Sequence, residues 1–295
     1  MGTYFNPSNE GFKKSAYDEI YIDKSGLLNI LNKKLRAEKN CISVSHARRF
    51  GKSQAAEMID AYYSKGCDSK ELFLAFEISK SPDFEKHLNK YNVVHLDISS
   101  FVDDYSDNLI KEIKRHIFSE FREIYSNINY ENSTSSVFKQ IYDKTEIITD
   151  GKSTKTPFVI IIDEWDCVVR NFPDKPKLVH EYLQFLHSLF KSKESKEFLA
   201  LGYITGILPI KKIEDESALN NFIEYTMIDS KELTPYFGFT ENEVESLCKK
   251  YDMNIDSVKE WYDGYLISNQ HIYNPNSVYQ AMIDNSLESY WKNTS

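Results

Sequence analysis

The chain is poor in what a membrane span, a disulfide framework or a nucleic-acid surface requires. No segment of the 295 residues approaches the roughly 20 apolar positions needed to cross a bilayer. The opening MGTYFNPSNEGF lacks the apolar stretch of a secretory signal. No membrane partner is therefore expected, and the cytoplasm is the expected compartment. The four cysteines, Cys41, Cys67, Cys167 and Cys248, are far apart, with no C-x-x-C pair and no His pair at zinc spacing. Reduced thiols are expected. Lys and Arg number 36 against 45 Asp and Glu, a net charge of −9, so charge gives no support to direct nucleic-acid binding. One further absence matters. The stretch SVSHARRFGKSQAAEMI, Ser43 to Ile59, ends like a phosphate-binding loop, yet His46 stands where G-x-x-x-x-G-K-[ST] demands its first glycine.

What is present is an alternation of apolar runs and helical patterns. CISVS (41–45), VVHLDIS (93–99), FVIIID (158–163), FLALGYIT (198–205) and the weaker FIEYTMI (222–228) read as strands. Ala55, Met58, Ile59 and Tyr62 share one helical face, as do Tyr182, Phe185, Leu186 and Leu189; Leu109, Ile113, Ile117 and Phe121 recur every four residues. Continuous apolar strands separated by helices argue for an α/β fold, a parallel sheet sandwiched by helices in the manner of P-loop NTPases. The polar stretches 127–136 and 150–157 are expected to be exposed connections. The expected organisation is a core over 1–228 and a smaller helical, lid-like subdomain over 229–295. That subdomain opens near a capping box at Thr240 and Glu243. Trp261, Tyr262 and Tyr265 are expected in its core.

Gly51 and Lys52 fall between a strand and a helix, where free N–H groups and the helix dipole favour phosphate. Lys52 would reach the β- and γ-phosphates and Ser53 would offer its hydroxyl to Mg²⁺. A second Gly-Lys-Ser, at 151–153, precedes no helix and is expected to be a solvated loop. FVIIIDEWD brings Asp163 and Glu164 to a strand's carboxyl end, where ligands bind in open α/β folds. Asp163 would hold Mg²⁺, directly or through water, and Glu164 would serve as general base; the plainer alternative is an acidic strand end in water. Thr205, closing the next strand, is a candidate sensor of the γ-phosphate or of the attacking water. Without the first glycine, Arg48 or Arg49 could supply charge-assisted contacts to phosphate, unless an acidic neighbour takes them.

EIYIDKSGLL, RRFGKS, GCDSKELF, FVIIIDEWD, TGILPIKK, SALNNF, GFTENEV, WYDGY and YNPNSV occur in this order along the chain. Together they resemble the bacterial AAA-ATPase-like family, over essentially the whole chain. In that family the loop typically reads R-P-R-R-F-G-K-[ST], so the resemblance makes the missing glycine a family trait. Arg48, Arg49, Phe50, Gly51, Lys52 and Ser53 match, whereas His46 and Ala47 replace the usual Arg-Pro, and His46 supplies charge only if protonated. Tyr21 falls in a motif similar to the family's Y-[VI]-D-K-T and is a candidate stacking face for adenine; Asp23, in the same motif, could instead cap the helix that starts near Ser25. Longer relatives continue past the region matching Tyr290 and Trp291 into a PD-(D/E)XK nuclease-like domain. The nuclease core is not found here, so no nuclease activity is expected of this polypeptide, and a nuclease-like domain or protein is a candidate partner.

The leading expectation is Mg²⁺-dependent ATP binding and hydrolysis driving a conformational switch. The alternatives are a nucleotide-binding regulatory module with little hydrolysis, and a scaffold that has lost the nucleotide. No arginine finger is identifiable in the sequence.

Overall fold

The computed structural model describes residues 2–105, 108–150, 152–212 and 219–290. Gly151, the first two residues of SALNNF and Trp291 lie outside the described residues. Numbered along the chain, the strands are β1 (Cys41–Ser45), β2 (Asn92–Asp97), β3 (Ile147–Thr149), β4 (Lys152–Thr154), β5 (Phe158–Asp163), β6 (Leu199–Gly206), β7 (Phe222–Thr226), β8 (Phe239–Thr240), β9 (Tyr265–Ile267) and β10 (Gln270–Tyr273).

The five expected strands form one sheet in the order β2-β5-β6-β1-β7, all pairs parallel. Because side chains alternate along a strand, β5 feeds two cores. Phe158, Ile160 and Ile162 join the helices Leu109–Ile124 and Pro176–Phe190 on one face. Val159 and Ile161 join Ala55, Met58, Ile59 and Tyr62 of the helix Lys52–Tyr63 on the other. Full burial of each such side chain contributes roughly 1.5–3 kcal/mol, which is why these runs are apolar throughout. Register pairs Val44 with Thr205 and Ile162 with Ile204, so the carboxyl ends of β1, β6 and β5 reach a common edge.

Three local expectations are corrected. The run 93–99 does not stay extended to its end: Asp97 Oδ1 accepts the Ser99 N–H at 2.9 Å, and the helix Ile98–Tyr105 begins there. The polar stretch 127–136 gives way to the helix Thr134–Lys144, because Ser133 Oγ accepts from the Ser136 N–H. The segment holding the second Lys-Ser is a two-stranded hairpin, β3 with β4; it is fully exposed but not a loop.

The region after Asp229 is not purely helical. The helices Glu241–Tyr251, Ile255–Tyr262 and Pro275–Asp284 pack with a three-stranded antiparallel sheet, β8-β10-β9. Ser268 and Asn269, both at positive φ (48° and 63°), make the two-residue turn that joins β9 to β10. Val258 and Tyr262, four apart on their helix, face inward; Trp261 falls on the other side and is 52% exposed, outside the core it was expected to join. The capping box at Thr240 and Glu243 is present, and its Glu243 carboxylate also accepts from Lys24 Nζ at 2.7 Å. Lys24 donates to the Pro235 carbonyl as well, which ties the N-terminal segment to this C-terminal region.

Candidate functional site

A cavity of about 740 Å³ opens at the carboxyl edge of the parallel sheet. Its polar wall includes Arg48, Arg49, Lys52, Ser53, Glu164 and Arg170; its apolar wall includes Tyr21, Met58, Phe239 and Tyr279.

The loop from β1 to the helix Lys52–Tyr63 turns through two left-handed residues, Arg49 (φ 66°) and Gly51 (φ 81°). Gly51 takes that conformation without steric cost, and Arg49 does not. Lys52 is 4% exposed, and its ammonium donates to the carbonyls of His46 (3.0 Å) and Ala47 (2.9 Å), bracing its own loop. Burial pulls its pKa down, against Glu164, Asp163 and Asp166, which favour the charged form. Ser53, Arg48 and Arg49 are exposed.

Phe50 lines the cavity, yet its side chain is fully buried; His46 is buried as well. The Phe50 ring is fully buried with Ile267 and Ile272 and lies edge-on to Tyr265 at 5.3 Å, while its carbonyl accepts the Gly238 N–H at 3.2 Å. These contacts fix the loop from the side of the C-terminal sheet. His46 Nε2 lies 3.0 Å from Ser230 Oγ, with its ring 5.1 Å from that of Phe237. Burial, then the Lys52 charge, push its pKa down to about 4, so it is neutral near pH 7 and does not replace the lost arginine charge.

Asp163 ends β5 with 6% exposure, and its Oδ1 accepts from Thr205 Oγ1 and from the Glu164 N–H. Thr205 is fully buried. The ends of β5 and β6 are thus joined by a direct bond from the Thr205 hydroxyl to the Asp163 carboxylate. Asp163 Oδ2 and the Ser53 hydroxyl are hard oxygen donors. Such a sparse set suits Mg²⁺, which keeps waters and takes its remaining ligands from phosphate. No cluster of three or more His, Cys, Asp or Glu suited to a metal occurs among the described residues.

Glu164 adopts a left-handed backbone (φ 50°), and burial raises its pKa, with Lys52 as the largest opposing influence. Its Oε2 accepts from an Arg170 terminal nitrogen at 2.7 Å, and Arg170 Nε donates to Asp166 Oδ2 at 2.7 Å. Neither Asp166 nor Arg170 was singled out from the sequence. The signal available was their i,i+4 spacing within DEWDCVVR, an acid four residues before an arginine on a helix.

Tyr21 lines the cavity and packs against Phe12 (6.0 Å) and Phe76 (5.3 Å), and burial raises its phenol pKa. Asp23 has a different task. It accepts from the N–H groups of Ser25 (2.8 Å) and Glu77 (2.7 Å), so it closes the turn before the helix Gly26–Asn32.

Comparison with known proteins gives a family match and several distant likenesses. The family model described as a predicted AAA-ATPase (AAA-ATPase-like) matches residues 10–214. An uncharacterized protein in the vnfD 5′ region of Azotobacter chroococcum mcd 1 is 24% identical over 139 residues, 46% of this chain and 27% of that relative. The replication initiator DnaA bound to AMPPCP and single-stranded DNA aligns with 95% of this chain and 65% of its own, at 10% identity and a TM-score of 0.44. The ORC2 protein of Aeropyrum pernix, in ADPNP–ADP complexes, aligns with 80% and 54%, at 10% identity and a TM-score of 0.37. This chain spans less than two thirds of each of these proteins.

Proposed function

The chain belongs to the predicted AAA-ATPase family, and from that premise we propose that it binds ATP with Mg²⁺, hydrolyses it, and uses the exchange as a conformational switch. The observation that carries this reading is the cavity itself. Its cationic wall at Arg48, Arg49 and Lys52 adjoins an apolar wall at Tyr21, Met58 and Phe239, the polarity that a nucleotide triphosphate and its base present. Lys52 would leave the loop carbonyls for the phosphates. Ser53 and Asp163 would hold Mg²⁺, which when bound neutralises charge on the phosphate oxygens. Thr205 keeps the Asp163 carboxylate aimed, and Glu164 accepts the proton of the attacking water.

The switch reading rests on Phe50. The same six-residue loop that meets phosphate carries a ring buried among Ile267 and Ile272 of the C-terminal sheet. A loop that rearranges around phosphate would therefore pull on residues 229–295, which would act as a lid.

A second reading is favoured by the resting contacts. Lys52 is bonded to two carbonyls of its own loop, an arrangement suited to a regulatory module that binds nucleotide and turns it over slowly, in the service of a nuclease-like partner. The net charge of −9 favours such a partner over direct nucleic-acid contact. No helix among the described residues is long and apolar enough to cross a membrane.

Phosphate release by the wild type beside Glu164→Gln separates the two readings. The hydrolase reading expects turnover that Glu164→Gln lowers by about 10²-fold or more, with affinity for ATP kept. Binding without turnover in the wild type selects the regulatory module.

A further inference from the structure

We infer that Arg170 is a positioning residue for ATP hydrolysis, holding the Glu164 carboxylate at the cavity wall from an anchor on Asp166. The inference rests on the hydrolase reading above.

The anchor is built from buried parts. Asp166 is fully buried, and its Oδ2 accepts three hydrogen bonds: from Arg170 Nε (2.7 Å), from the Leu208 N–H (2.8 Å) and from the Ile207 N–H (3.2 Å). Ile207 and Leu208 directly follow β6, the strand that carries Thr205. Close approach fixes this segment: a Cβ on Gly206 would lie 2.5 Å from Asp166 Oδ1. Arg170 is therefore not a long side chain free to sample solvent. Its Nε is locked, and the planar fork then directs a terminal nitrogen to Glu164 Oε2.

Glu164 is restrained from its other side too. Its N–H donates to Asp163 Oδ1 at 3.0 Å, its carbonyl accepts the Cys167 N–H at 2.9 Å, and its backbone is left-handed although it has a Cβ. Unfavourable backbone conformations persist where surrounding structure over-determines them, often at functional sites. Glu164 and Arg170 both line the cavity, and their side chains are only 25% and 21% exposed. The Asp166 bond alone would suffice to pin the short helix Cys167–Asn171. The second bond, to a residue at the cavity, is what a positioning role requires.

In the reaction, the water oxygen forms a new bond to the γ-phosphorus and the bridging bond to ADP breaks. The water proton passes to Glu164 and then to solvent. Arg170 forms no bond in this sequence; it sets where the accepting oxygen stands. A displacement of about 1 Å in such a group can lower a rate by about 10²-fold.

The test is Arg170→Lys in the full chain. An ammonium keeps a charge for Asp166 but cannot reproduce the fork that reaches both carboxylates. With MgATP, kcat is expected to fall by about 10²-fold, while KM and the affinity for a non-hydrolysable ATP analogue stay within about threefold. The double variant Glu164→Gln/Arg170→Lys is expected to be no slower than Glu164→Gln alone, because Arg170 acts through Glu164. Arg170→Met with Asp166→Asn, which leaves no unpaired charge at the buried Asp166 position, should reproduce the loss. An unchanged or faster Arg170→Lys, loss of binding together with rate, or additive losses in the double variant would each overturn the inference while the hydrolase reading stands. A wild type that binds the analogue but releases no phosphate overturns the hydrolase reading, and this inference with it.

Discussion

Phe50, one residue before Gly51 in the loop that follows β1, packs edge-on to Tyr265 of the C-terminal sheet, with ring centroids 5.3 Å apart and planes at 83°. The two residues are about 215 positions apart in sequence, yet both belong to one small core with Ile267 and Ile272. A loop that lines the cavity on one side and packs on a second sheet on the other is a mechanical link.

That link predicts a double effect of Phe50→Ala. Removing a fully buried phenyl ring should destabilise the protein by about 3–5 kcal/mol, measured by urea unfolding. Nucleotide affinity should fall as well, since the loop loses its support. Phe50→Leu should recover most of both. A Phe50→Ala variant as stable as wild type would show that the cluster does not hold the loop.

Stability should depend on pH through His46. Its folded-state pKa, pushed down to about 4, lies below the unfolded value of about 6.5. Between those values the unfolded chain binds the proton and the folded chain does not, so stability rises with pH across that window. The contribution is complete above about pH 6.5 and lost as pH falls toward 4; the shift corresponds to about 3 kcal/mol. Replacing His46 by Gln should flatten this part of the stability curve relative to wild type. Urea titrations at pH 7 and pH 4.5 measure the difference, and an equal pH dependence in both proteins would refute it.

Thr205→Val tests the aim of Asp163. The substitution keeps shape and burial but removes the hydroxyl that donates to Asp163 Oδ1. Loss of a partner that orients a metal ligand typically costs 10- to 100-fold in metal affinity. The Mg²⁺ concentration needed for half-maximal nucleotide binding should therefore rise by about that factor, with little change in binding measured without Mg²⁺. An unchanged Mg²⁺ requirement would mean that Thr205 does not orient this carboxylate.

Much of this arrangement was legible in sequence, for reasons that vary by residue. β1 and β5 are read to the residue because a strand buried on both faces excludes charged and large polar side chains, as CISVS and FVIII do. The end of β2 was overrun because Asp97 caps the next helix with its side chain, a choice that apolar periodicity does not report. The C-terminal sheet was missed because its strands are only two to four residues long, too short for alternation to show. Lys52, Ser53, Glu164, Tyr21 and both arginines do meet at one cavity. Motif logic could not say which way Phe50 turns, because the partners that decide it, Tyr265, Ile267 and Ile272, lie more than 200 residues away. Arg170 belongs to no motif: its i,i+4 spacing from Asp166 is the only sequence signal, and its contact with Glu164 emerges only in the fold.

The central claim is that Lys52 and its loop hold the phosphates of ATP. Calorimetric titration of MgATP into the wild type and into Lys52→Ala, with folding of both checked by thermal unfolding, tests it most directly. Saturable binding by the wild type, lost or weakened by at least about 10-fold in a folded Lys52→Ala, is the predicted result. Equal binding by the two proteins, or no heat from the wild type at millimolar nucleotide, would contradict it and leave Gly51-Lys52-Ser53 as a braced basic turn.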